Sequence, residues 1–201
     1  AQAHLDDDPT TDPFSLMAGK TSCHTGWLKS AGMLLPMGFL IGNGYANVIG
    51  DANDVESLRS TITNFFNEDA SIPDSGTPYY SYSGAVKCLS EGVGDVAFAK
   101  DSTIASYCGN EDASTNEAWC LPESDYILLP SYGNAPSHPV MYNPDTSDAT
   151  TMALVQDVLV DMANTEDGQS ILENVLNTPA ISATTAVEHL SSYGNLIEDV
   201  P

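Results

Sequence analysis

The sequence predicts an α/β fold with a mixed, mostly parallel sheet, followed by a group of returning helices. Three observations predict it. Short strand-like segments at 19–23, 94–100, 126–129 and 138–142 are interleaved with helical ones. Helical periodicity then takes over at 149–164, 168–176 and 186–197. Strand, helix and strand in alternation is the signature of a parallel sheet with helical crossovers. The change of character near 135–145 divides the chain into 1–135 and 136–201, the second being a hinge strand followed by the returning helices.

Residues 1–15 are polar, contain Pro9 and Pro13, and read as loop. Thr25 precedes Trp27, Leu28, Ala31 and Leu35, whose spacing suits one helix face, with Thr25 as N-cap and Pro36 ending or kinking the helix. Residues 36–40 read as a second short helix or a buried strand. Val55, Leu58, Ile62, Phe65 and Phe66 recur at helical spacing and predict a helix over 54–66. A Gly/Pro/Ser loop at 70–78 leads to a helix over 83–90, and a polar loop bounded by cysteines covers 108–120.

Five basic residues stand against 28 acidic ones, a formal net charge of -23. Such a surface repels nucleic acid and anionic lipid, and excludes both as partners. Its self-repulsion is relieved by salt, which suits a saline, halophilic setting; high solubility is the plainer explanation, and both stay open. The hydrophobic fraction of 42% is enough for a real core. Cys23, Cys88, Cys108 and Cys120 are an even set without a C-x-x-C pair, which argues for two disulfides and an oxidising compartment, secreted or on the cell surface. No apolar run reaches the roughly 18 residues of a membrane span. Asp6-Asp7-Asp8-Pro9 is unlike a signal peptide and reads as a mature or clipped end or an acidic loop.

Three features carry chemistry. In the run from Thr25 to Gly32, a hydroxyl, first-turn N–H groups and the Lys29 ammonium make a small anion cradle. Tyr82 offers a phenolate, a hard oxygen donor suited to Fe(III) once its proton of pKa about 10 has left. His138, flanked by Pro136-Ser137 and Pro139, offers an imidazole at the start of a strand. Each has an ordinary structural explanation: a capped helix, a buried tyrosine, a surface histidine. Ser, His and Asp are present, but no G-x-S-x-G elbow orders them, and the chain reads as a binder rather than an enzyme.

Taken together the features resemble a known family. The segment Gly19-Lys20-Thr21-Ser22-Cys23-His24-Thr25-Gly26, running through Lys29-Ser30-Ala31-Gly32 to Pro36-Met37-Gly38, resembles the anion-binding motif of the transferrins. Tyr82-Ser83-Gly84-Ala85-Val86-Lys87-Cys88-Leu89 and Gly92-Val93-Gly94-Asp95-Val96-Ala97-Phe98-Ala99-Lys100 resemble that family's second long signature. Pro136-Ser137-His138 with Val140 resembles its returning histidine strand.

The resemblance implies a periplasmic-binding-protein-like half-lobe that binds Fe(3+) with synergistic carbonate or bicarbonate. Tyr82 and His138 fall on iron ligands. Thr25, Lys29 and the N–H groups of Ala31 and Gly32 fall on carbonate-binding positions. Cys23 and Cys88 fall on a family disulfide, which leaves Cys108 with Cys120; the usual family partner of Cys120 has no counterpart near Tyr132-Gly133. Lys29 replaces the family's arginine and loses its planar fork. Lys100 matches one member of a lysine pair used as a pH trigger, and no lysine follows it here. The family's aspartate and second tyrosine lie upstream of the anion motif, so an upstream segment or another chain is expected to complete the lobe. A cell-surface receptor or larger assembly is a further expected partner. The other reading is a transferrin-derived scaffold that has lost iron binding.

Overall fold

A computed structural model describes residues 11–176 and 178–201. The chain divides into two compact units, one running to Ala135 and including Ser192–Pro201, the other Pro136–Ser191. The predicted loop at 1–15 lies outside the described residues up to residue 10; Ser15–Met17 forms a single 3-10 turn.

At the centre of the first unit is β1 (Ser22–Cys23), paired in parallel with β2 (Val96–Ala97). On its other edge the Ser71 N–H donates to the Ser22 carbonyl at 2.7 Å, and the His24 N–H to the Ser71 carbonyl at 2.9 Å. Bonded on both edges, β1 and the two residues after it are buried. A π-helical turn, Ser30–Leu34, runs directly into α1 (Leu35–Gly42). The helices α2 (Ser57–Phe65), α3 (Ser81–Ser90) and α4 (Thr103–Cys108) follow. Leu58, Ile62 and Phe65 recur at helical spacing, so α2 turns one apolar face into the core that also holds Met33, Met37 and Leu40.

Several expectations change. No helix starts at Thr25, because Gly26 has φ 135° and Leu28 φ 56°, both outside helical space. Helix begins instead at Ser30, with Lys29 as N-cap. Pro36 does not end it; the proline sits at the start of α1, where the wider π-turn accommodates its ring. The predicted strands at 126–129 and 138–142 are not laddered: alternating apolar residues favour an extended chain, but a strand needs a neighbour. The sheet among the described residues is therefore one parallel pair rather than the larger sheet expected. Helix α4 lies in a stretch that carried no periodic signal.

The second unit holds α5 (Ala149–Asp161), α6 (Glu166–Val175) and the first part of α7 (Ala186–Ile197). The Asp148 carboxylate accepts from the Thr151 N–H at 2.8 Å and caps α5. Thr165 Oγ1 accepts from the Gly168 N–H at 3.1 Å and caps α6. Leu172 is the buried anchor of this unit. No helix among the described residues is long and apolar enough to cross a membrane.

Candidate anion and metal site

Cys23 is bonded to Cys88 with Cα atoms 6.1 Å apart, which ties β1 to α3. The second disulfide joins Cys108 to Cys120. The chain leaves β1 through His24 and Thr25 and turns sharply at Gly26 to Leu28. At Gly26 a β-carbon would come within 2.7 Å of the Tyr80 ring, so the close packing and the positive φ both require glycine. The Ser81 N–H donates to the Thr25 carbonyl at 3.0 Å, holding the first turn of α3 against the anion motif. Tyr82, half-buried, is the second residue of that helix.

Thr25 is 3% exposed, and its Oγ1 is buried without a hydrogen-bond partner. A buried, unserved hydroxyl costs free energy, on the order of 1–3 kcal/mol. Gly32 lies directly beside it: a β-carbon there would run into the Thr25 side chain, coming within 2.5 Å of Cγ2. The N–H groups of Ala31 and Gly32 lie in the first helical turn, where no preceding carbonyl is available to them. An unserved hydroxyl, orphan amides and a helix N-terminus suit a small oxyanion.

Lys29 is exposed, with Nζ 5.3 Å from the centre of the Tyr80 ring. The Tyr80 hydroxyl, through hydrogen bonding and then charge, holds the ammonium above its ordinary pKa, and Tyr82 adds to this. Lys100 Nζ lies 5.3 Å from the centre of the Tyr82 ring. Two of the five cations in a strongly acidic chain thus lie beside neighbouring tyrosines, Lys29 at Tyr80 and Lys100 at Tyr82. Arg59 is engaged elsewhere, stacked 3.7 Å from the centre of the Trp27 ring.

His138 belongs to the second unit, on an exposed segment without regular structure. The carbonyl of its neighbour Ser137 accepts from His189 Nε2 at 2.9 Å. Among the described residues, no group of three or more His, Cys, Asp or Glu side chains is placed to hold a metal ion. Thr25, Lys29, Ala31, Gly32 and Tyr82 are brought together by the anion turn and the start of α3.

Two residues of this region carried no functional reading in the sequence. His24 is fully buried, stacked on Phe98 with ring centres 5.2 Å apart. Its Nδ1 lies 2.8 Å from the Gly32 carbonyl, which can only accept, so Nδ1 carries the proton. Nε2 then accepts from the Ser22 hydroxyl at 2.9 Å. Tyr132, from a distant segment, donates its hydroxyl to the Ala31 carbonyl at 3.1 Å.

Burial, partly offset by the Gly32 carbonyl, lowers the His24 pKa from 6.5 to about 4. The unfolded chain takes up this proton first as pH falls below about 6.5. His24 therefore leaves stability intact above that pH, erodes it between 6.5 and about 4, and has no further effect below. The total loss is on the order of 3 kcal/mol. Urea unfolding at pH 7 and at pH 4.5 should show this as a difference between the parent and His24→Asn, whose amide can still serve Gly32. Identical pH dependence in both proteins would show that His24 does not carry it.

A sequence model of the transferrin family matches residues 11–77 and 70–133, together more than half of the chain. Human lactotransferrin is 34% identical over 132 residues, covering 60% of this chain and 18% of that protein. Bovine serotransferrin is 37% identical over 128 residues, covering 52% and 17%. Human melanotransferrin is 27% identical over 184 residues, covering 70% and 24%. The chain thus spans between 17% and 24% of the length of these relatives.

Proposed function

We propose, since this chain belongs to the transferrin family, that it is the carbonate-binding part of a ferric-iron site used in iron uptake or transport. The observation that carries this reading is the buried Thr25 hydroxyl without a partner, lodged against Gly32 and the orphan amides of the first helical turn. In this reading Thr25 Oγ1 and the N–H groups of Ala31 and Gly32 hold carbonate, and the Lys29 ammonium balances its charge. Lysine does so as a point charge, without a bidentate fork. Fe(III) is the cargo, taken by the Tyr82 phenolate; His138 is counted as an iron ligand on the family resemblance alone. The remaining aspartate and tyrosine come from an upstream segment or another chain. The role is binding rather than catalysis. The two disulfides support a secreted or cell-surface setting, where a receptor or larger assembly would meet the loaded lobe.

With Fe(III) and bicarbonate, the full-length protein that carries this chain is expected to develop the visible charge-transfer band of iron-bound tyrosinate. The band should fade on acidification, because phenolate, imidazole and carbonate all take up protons. Lys29→Ala should weaken bicarbonate-dependent iron binding by roughly tenfold. Unchanged binding in that variant would place the anion elsewhere. A colourless protein would remove the iron reading and favour the scaffold, a reading that the replacement of arginine by Lys29 allows.

A further inference from the structure

In the turn Ser30–Leu34 the hydrogen bonds pass from the ordinary to a widened register: the Lys29 carbonyl accepts from the Met33 N–H at 2.9 Å and from the Leu34 N–H at 3.1 Å, and the Leu35 N–H then reaches the Ser30 carbonyl. The next donor in that register is residue 36, and it would serve the Ala31 carbonyl. Residue 36 is proline and has no N–H. The Ala31 carbonyl is instead served by the hydroxyl of Tyr132, at a sequence separation of 101 residues. The Gly32 carbonyl, four residues before the proline, accepts from His24. Both carbonyls that Pro36 cannot serve, in one register or the other, are met by side chains from outside the helix.

The Ala31 carbonyl and the Gly32 N–H belong to the same peptide unit. A donor on the oxygen fixes the plane of that unit and polarises it, which makes the N–H at its other end a better donor. We infer that Tyr132 is a positioning residue for the anion site, orienting and strengthening the Gly32 N–H through the Ala31 carbonyl. This rests on the carbonate reading given above. The ring of Tyr132 is wedged beside Phe39 and Phe98, with ring centres 6.2 and 6.1 Å away, so the hydroxyl is delivered from a fixed platform. Burial, and secondarily Tyr82, push its phenol well above the ordinary pKa, so it stays an O–H donor.

The test uses bicarbonate alone as probe, titrated calorimetrically, with the Gly32 amide followed by nitrogen-15 NMR. Tyr132→Phe keeps the ring and removes only the hydroxyl. It is expected to weaken bicarbonate binding by roughly three- to tenfold and to shift the Gly32 amide resonance. Pro36→Ala supplies the matching control, because residue 36 then has an N–H for the Ala31 carbonyl. In that background, loss of the Tyr132 hydroxyl should change affinity by less than about twofold. Unchanged affinity in Tyr132→Phe overturns the inference, and so does an equal loss in both backgrounds, which would mark general loosening. If parent and Thr25→Ala both fail to bind bicarbonate, the carbonate reading falls and the inference falls with it. If the parent binds, Thr25→Ala does not and Tyr132→Phe binds as tightly as the parent, the inference alone is wrong.

Discussion

Replacing Gly32 by alanine is expected to remove most bicarbonate binding, by tenfold or more, and to destabilise the first unit by about 1–3 kcal/mol. Alanine is ordinarily the better helix former, by up to about 1 kcal/mol, so the expected sign runs against propensity. The reason is space: the new methyl group would meet the Cβ, Cγ2 and Oγ1 atoms of Thr25. Thr25 cannot easily retreat. Its side chain is buried and β-branched, its carbonyl is bonded to the Ser81 N–H, and Cys23 two residues earlier is pinned by a disulfide. Urea unfolding and bicarbonate titration of the variant measure the two effects. A variant as stable as the parent, with full affinity, would show that the turn is looser than this packing requires.

Removing the disulfide between Cys23 and Cys88, by changing both to serine, should be the most damaging change to stability. The bridge closes a separation of 65 residues, against 12 for Cys108 and Cys120. On the chain-entropy model these loops are worth about 4 and about 3 kcal/mol respectively. The buried position of the first bridge gives it a second role. It connects the strand that leads into Thr25 to the helix that carries Tyr82. Bicarbonate affinity should therefore fall when the 23–88 pair is removed and stay nearly constant when the 108–120 pair is removed. Equal losses of affinity in the two double variants would contradict this division of roles. Comparing denaturant midpoints under oxidising conditions supplies the stability half of the test.

What the sequence predicted well depends on local pattern. The helices at Ala149–Asp161, Glu166–Val175 and Ala186–Ile197 lie within a residue or two of the periodic segments, apart from the 3-10 turn Met162–Asn164. Helix α2 is similarly legible from Leu58, Ile62 and Phe65. The anion motif was harder. Its residue types are visible, but Trp27 and Leu28 mimic a helical face, and only their backbone angles show that the chain turns there. Strands were over-read, because an extended preference is local whereas a ladder partner is not. Tyr132 could not be placed from sequence, since nothing near it indicates which carbonyl it serves. The available hint was Pro36, which announces that carbonyls four and five residues earlier need another donor.

The bond between Tyr132 and Ala31 also bears on the order in which the molecule assembles. Contacts between residues far apart in the chain must overcome loop closure before they bring any gain, so they form after local ones. During synthesis the chain up to Cys88 can close its first bridge while residue 132 is still to be added. The Ala31 carbonyl acquires its donor only when the chain has grown 101 residues further. On the carbonate reading proposed above, full affinity for the anion is therefore reached late, once residue 132 has joined the motif.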